Sequence, residues 1–394
     1  MDQESVVLSK AKDPAVVSEV KDPAVVLSKA KDLHLSTAMD RTGPSLRAGQ
    51  RLLLASLAAL IACGGGAADK AATDTGAKPA TTSAKAGDKI VIAMIAKSSS
   101  NPVFLAARTG AEAAAKELAQ KNSVPVEIMW LTPPQEDGEV QAQRVRQAVN
   151  DGASAILLSA SDAGKVTGAI NDAVDRGVPV MTFDSDAPKS KRFAFYGVDD
   201  HKTGATTMAE LATLMNGKGK VAILAGNQNA PNLQMRVQGV KDEAKKYPGI
   251  TIVGAFNHIE TPQDAAAEVI RANNAYPEIT GWAMIGGWPL FTQTLLTDLN
   301  PAKQKVVSVD ALPDELAYIE KGIAPVLLAQ PVYLWGDMGV RTLFAKVHDK
   351  KDPPTAIIPM ELVRVSKDNL GTWARQLRDW GFSNVNPAYL ALKQ

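Results

Sequence analysis

The sequence predicts an α/β protein of two doubly wound parallel-sheet lobes joined by a hinge, with a ligand cleft between them. Three observations carry this. From residue 89 onward, short apolar runs alternate with amphipathic helical patterns, the signature of repeated strand–helix units. The runs are β-branched and apolar on both faces, as strands covered by helices on two sides must be. Nine of them, at residues 90–96, 126–131, 155–159, 178–184, 221–226, 251–256, 282–286, 306–310 and 326–330, are too many for one comfortable sheet in this length.

The intervening segments read as helices. Residues 103–120 place Phe104, Ala107, Ala111, Ala114 and Leu118 on one face. Asn101-Pro102 supplies a helix cap and a first-turn proline. Ligands in doubly wound sheets bind beyond the carboxyl ends of the strands, so the residues that follow each run are the informative ones. Asn101 follows the first run, Asp184 ends the fourth, Gly286-Gly287-Trp288 closes the seventh, Asp310 the eighth and Gln330 the ninth.

Before residue 89 the chain is of a different kind. VVLSKAKD occurs at residues 6–13 and 25–32, and KDPAVV at 12–17 and 21–26. Short repeats at irregular spacing cannot stack into a core, and residues 1–38 read as translated sequence upstream of the true start. Residues 39–62 read as a secretory leader: Met39, a basic stretch with Arg41, Arg47 and Arg51, then an apolar stretch at 52–62 too short for a permanent span. Leu60-Ile61-Ala62-Cys63 resembles a bacterial lipobox, which makes Cys63 the expected lipidation site. Residues 63–87 then form a small, polar, proline-bearing tether. The lobes are expected at 88–198 plus 331–358 and 199–330 plus 359–394, with hinge crossings near 198–200, 330–332 and 358–361.

Composition narrows the function classes. Lys plus Arg number 43 against 42 Asp plus Glu, so there is no basic excess for nucleic acid. One cysteine excludes internal disulfides and thiolate metal clusters. HExxH, GxSxG and Walker-type motifs are missing, and the loop at 226–231 lacks GxGxxG. No cofactor and no metal are expected, and an enzyme on a doubly wound fold is the disfavoured alternative.

Ser100-Asn101-Pro102-Val103-Phe104, residues 178–184, Arg236-Val237-Gln238-Gly239, residues 309–316 and Leu328-Ala329-Gln330 together resemble the ribose- and galactose-type sugar-binding proteins of the type I periplasmic fold. The resemblance runs from residue 89 to about residue 366. It implies the substrate-binding component of an ABC-type sugar importer, not an enzyme, located in the periplasm or cell envelope. The implied partners are a small sugar, a permease and ATPase complex, and the membrane through a lipid anchor, with the protein a monomer. A sugar-sensing receptor is the alternative within the same shape. A repressor of this fold would need a basic helix-turn-helix where the leader stands.

The resemblance implies sugar contacts at Asn101, Phe104, Asp184, Arg236, Asp310 and Gln330, and Ser185 and Trp288, which stand where the family has other residues, are expected at the same site. Carboxylate, amide and guanidinium planes can each pair with adjacent hydroxyls, and aromatic faces suit the apolar C–H faces. Three positions depart from the ribose type: Ser185 replaces an Arg, Gly286-Gly287-Trp288 replaces an Asn-Asp pair, and Val103 replaces an aromatic. The blander readings are that the aspartates cap helices, that Arg236 is a solvated or ion-paired helix residue, and that Phe104 is core. Trp130 and Trp335 read as core, and His258 and Thr261 as a loop able to line the cleft.

Overall fold

The computed structural model describes residues 89–297 and 299–394. The expected leader, Cys63 and the tether lie outside the described residues. Two six-stranded sheets carry the fold. The first contains β1 (Ile90–Ile95), β2 (Val126–Trp130), β3 (Ala155–Leu158), β4 (Val180–Phe183), β5 (Ala194–Gly197) and β11 (Ile357–Pro359), in the order β11-β5-β4-β3-β1-β2. The second contains β6 (Lys218–Gly226), β7 (Gly249–Asn257), β8 (Gly281–Met284), β9 (Lys305–Val309), β10 (Val326–Ala329) and β12 (Val363–Val365), in the order β12-β10-β9-β8-β6-β7. The two orders are the same pattern repeated. Neighbouring strands are parallel except for β12, which runs antiparallel to β10.

The central strands are buried on both faces, as their unbroken apolar sequences require. Among the described residues ten α-helices accompany the sheets: α1 (Pro102–Asn122), α2 (Gly138–Asn150), α3 (Ala163–Asp175), α4 (Asp200–Leu214), α5 (Pro231–Ala244), α6 (Pro262–Ala275), α7 (Leu316–Glu320), α8 (Tyr333–Val347), α9 (Leu370–Asp379) and α10 (Pro387–Leu390). Helix starts follow local chemistry. Asn101 accepts from the Val103 N–H and Pro102 opens α1, while Asp137 and Asp162 each accept two backbone N–H groups at the starts of α2 and α3. The predicted face of α1, from Phe104 to Leu118, is buried.

Three strands have no counterpart among the nine runs. β11 and β12 are three residues each, too short for a period of two to register, whereas β5 is as long as β3 and β4 but has no β-branched residue in its AFYG sequence to mark it. The chain passes between sheets three times: between β5 and α4, between β10 and α8, and between β11 and β12. The residues after β12 pack on the second lobe. There Trp373 Nε1 donates to the Ala311 carbonyl at 2.8 Å and the Tyr389 hydroxyl donates to Glu320 Oε2 at 2.8 Å. Trp380 reaches the other lobe, stacking on Tyr333 at the start of α8 at 5.6 Å.

Candidate functional site

Both sheets change winding direction beside their first strand, β1 in one and β6 in the other, and such switch points open a crevice beyond the strand ends. The two crevices face each other and line one interlobe cavity. Asn101, Phe104, Asp184, Arg236, Trp288, Asp310 and Gln330 all line it. Ser185 does not. It is buried, and its hydroxyl has no hydrogen-bond partner among the described residues.

On the first lobe, Asp184 follows β4 directly and takes a left-handed backbone, φ 57°. Its N–H still pairs with Tyr196 O of β5 at 3.1 Å, while its carboxylate accepts from Ser159 Oγ at 2.7 Å. Lys97, two residues past β1, is buried with its Nζ 3.7 Å from Asp184 Oδ2. Burial works to lower the Lys97 pKa, but Glu260, Asp184 and Glu136 outweigh it and keep the amine a firm cation. The Asn101 Oδ1 that caps α1 also belongs to the cavity wall, so the capping and cavity-facing readings of this residue are compatible.

On the second lobe the polar groups form one chain of hydrogen bonds. Arg236 Nε donates to Asp200 Oδ1 at 2.8 Å, its Nη1 to the Ile285 carbonyl at 3.1 Å and its Nη2 to Gln330 Oε1 at 2.8 Å. Gln330 Nε2 then donates to Asp310 Oδ1 at 2.8 Å, and the Gly287 N–H approaches Asp310 Oδ2 at 3.3 Å. Arg236 is only 2% exposed, so it is neither a solvated helix residue nor a surface ion pair. Burial pushes the Asp310 carboxyl up against the downward pull of Arg236.

Two of the hydrogen bonds that cross between the lobes converge on Asn232. Asn232, in the first turn of α5, donates through Nδ2 to Asp184 Oδ1 at 3.1 Å and accepts from Lys97 Nζ at 3.5 Å. Aromatic rings supply apolar walls. Phe104 stacks on Trp335 at 6.2 Å, so Trp335 is a cavity residue as well as core. The Trp288 indole donates to Glu260 Oε2 at 3.1 Å and meets the His258 ring edge-on at 4.8 Å. It lies so close to Gly226 that a Cβ there would be 2.6 Å from the indole, and Gly226 has φ 63°. Both the contact and the backbone demand glycine.

Lys97, Asn232, Glu260 and Trp335 are cavity residues that strand-end reasoning missed. Lys97 carried a usable signal, since a lysine directly behind an apolar parallel strand stands at the binding end of the sheet. Asn232 and Glu260 carried none, because their local sequence reads as an ordinary helix start and loop. Trp130 is half-buried under the Arg108 guanidinium at 5.2 Å and is not among the cavity residues. His258 touches the site only through Trp288, and Thr261 caps α6.

Known proteins match much of this chain. It is 24% identical over 288 residues to the ribose import binding protein of Bacillus subtilis (strain 168), covering 73% of this chain and 90% of that one. It is 30% identical over 195 residues to the D-apiose import binding protein of Actinobacillus succinogenes, a match that spans 49% of this chain and 61% of that relative. A solved ABC transporter solute-binding protein from Burkholderia graminis, in complex with D-arabinose, superposes with a TM-score of 0.65 at 28% identity over 73% of this chain and 98% of that one. The profile of the periplasmic binding protein domain matches residues 92–351, and the chain belongs to that family of two-lobed solute-binding proteins.

Proposed function

We propose that this protein is the sugar-capturing component of an ABC-type importer, closing two lobes over a monosaccharide by hinge motion. The observation that carries this is the meeting of Asp184 and Asn232 with Arg236, Gln330 and Asp310 on one interlobe cavity walled by Phe104, Trp288 and Trp335. Planar groups linked in this way can each take a pair of ring hydroxyls, and the rings take the C–H faces. A hydroxyl in the wrong stereochemistry would leave one of these buried groups unpaired, at a cost of about 1–3 kcal/mol. The relatives named for ribose and apiose import and the arabinose complex support a pentose-sized ligand.

The groups assigned to ligand contact are Asn101, Phe104, Asp184, Arg236, Trp288, Asp310 and Gln330, with Lys97 and Asn232 added by the geometry. Ser185, buried outside the cavity, is not assigned to ligand contact. The finer reading is a monomer tethered at the envelope membrane through Cys63, in reach of a permease and its ATPase.

A thermal-shift screen against D-ribose, D-arabinose, D-apiose, D-galactose and D-glucose tests the function. A sugar at a hundredfold excess over its Kd adds about 2.7 kcal/mol to folded-state stability, which raises Tm by several degrees. Flat melting curves with every pentose and hexose at millimolar concentration would overturn the reading.

A further inference from the structure

Two half-buried carboxyl groups come together across the cleft outside the residues assigned to sugar contact. Glu136 lies in the β2–α2 loop of the first lobe, and Glu260 in the β7–α6 loop of the second. Asn227, just after β6, joins them. Its backbone N–H donates to Glu260 Oε1 at 3.2 Å, and its side-chain amide donates to Glu136 Oε2 at 3.0 Å. The remaining Glu260 oxygen accepts from Trp288 Nε1. The remaining Glu136 oxygen, Oε1, is buried and has no donor among the described residues. Beside the Glu260 carboxyl the Glu136 carboxyl ionises only at a cost, and a proton on its unpartnered oxygen relieves the repulsion.

We infer that Glu136 and Glu260 are a positioning pair: a proton carried by Glu136 on its unpartnered oxygen latches the lobes together beside Glu260, which holds Trp288 in place against the ligand. The part concerning Trp288 rests on the cleft being the sugar site; the latch itself does not. Burial and the neighbouring Glu260 hold the Glu136 carboxyl up at about 8. When the lobes part, Glu136 regains water and an ordinary pKa of about 4.3.

Closure therefore takes up a proton between those two values, and the closed form gains on the open one as pH falls. Across that window closure weakens by at most about tenfold per pH unit as pH rises, and levels off above the upper value. Lys97 faces the pair from the β1–α1 loop and stays cationic throughout. Asp184 faces it through Lys97. His258 stands on the Glu260 loop with its pKa pushed down by burial. Asp200, pushed up to about 7 by burial, pairs with Arg236 inside the second lobe, so opening leaves its partner in place.

Two measurements on the full chain test the pair. Solution scattering without ligand, at about pH 6 and about pH 9, should show wild type compact at the lower pH and expanded at the higher. Glu136→Gln, which mimics the protonated acid, should be compact at both. Calorimetric titration with D-arabinose as the probe should show the wild-type Kd rising by up to about tenfold per pH unit, with the slope abolished in Glu136→Gln and reduced in Glu260→Gln. A pH-independent wild-type profile, or a Glu136→Gln variant that expands at high pH as wild type does, overturns the latch. A purely structural role predicts a lower Tm in these variants with the pH slope intact, and that result also overturns it. Should D-arabinose fail to bind, the sugar assignment is what suffers, and the ligand-free scattering still decides the latch.

Discussion

Asp184 and Asp310 hold equivalent places in the two lobes, each the first residue after the fourth strand of its sheet, and each has a left-handed backbone, φ 57° and 75°. Such a conformation costs about 1–3 kcal/mol in a non-glycine residue, and Asp is among the side chains that tolerate it best. What it secures is geometry. Asp310 N–H still pairs with Leu328 O at 2.9 Å while its carboxylate accepts from Gln330 and lines the cavity. Arg236 is the opposite case, an unstrained helical residue whose three donor positions are all engaged. Lysine keeps the charge but cannot reproduce that planar fork. Arg236→Lys is therefore expected to raise the Kd for the bound sugar at least about tenfold, or about 1.4 kcal/mol. Arg236→Ala should in addition cost about 3–5 kcal/mol of stability, because Asp200 is left buried without its partner. Calorimetry and thermal unfolding separate the two effects, and wild-type affinity in Arg236→Lys would remove Arg236 from the site.

Each lobe is built around one closely packed helix pair, α1 with α8 and α4 with α5. In both pairs one helix follows the first strand of its sheet and the other has just crossed from the opposite lobe. Glycines permit the approach. A Cβ on Gly110 would lie 2.0 Å from the Tyr333 carbonyl oxygen, and one on Gly336 would lie 1.8 Å from that of Ala107. In the second lobe Gly204 would meet the Arg236 carbonyl at 1.9 Å, and Gly239 that of His201 at 2.0 Å. Backbone atoms cannot swing aside as side chains do, so α5 must shift bodily if Gly204 gains a methyl group. Gly204→Ala is expected to destabilise the protein by about 1–3 kcal/mol and to weaken sugar binding, since α5 carries both Asn232 and Arg236. Gly168→Ala on α3, where a Cβ meets nothing within 4 Å, should instead stabilise by about 0.4–1 kcal/mol. Chemical denaturation of the two variants checks both signs. Equal destabilisation would show that helix spacing is not the controlling factor.

At the scale of the whole molecule, three chain crossings join the lobes, and the Trp380–Tyr333 stack adds a contact between the C-terminal segment and the first lobe beside the second crossing. The lipobox at Leu60–Cys63 predicts that the mature chain begins at an acylated Cys63, with leader and repeats removed. Mass spectrometry of the native N-terminus checks this, and a mature product retaining residues 1–38 would refute it. The alternation of runs and helices, the face of α1, and the strand-end positions of Asp184, Asp310 and Gln330 were all legible in the sequence, because burial on one or both faces leaves a local period. β11 and β12 were not, being three residues long, and β5 was not, having no β-branched residue in its AFYG sequence. The cross-lobe contacts were beyond any local reading: Asn232 finds Asp184 48 residues away, Asn227 finds Glu136 91 away, and Lys97 finds Asn232 135 away. Local pattern by itself determined nine of the described strands, the helical face of α1 and the strand ends at Asp184, Asp310 and Gln330. Which polar groups share the cleft was decided by the tertiary structure alone, because two lobes brought together by three crossings pair side chains whose own neighbourhoods read as ordinary loops and helix starts.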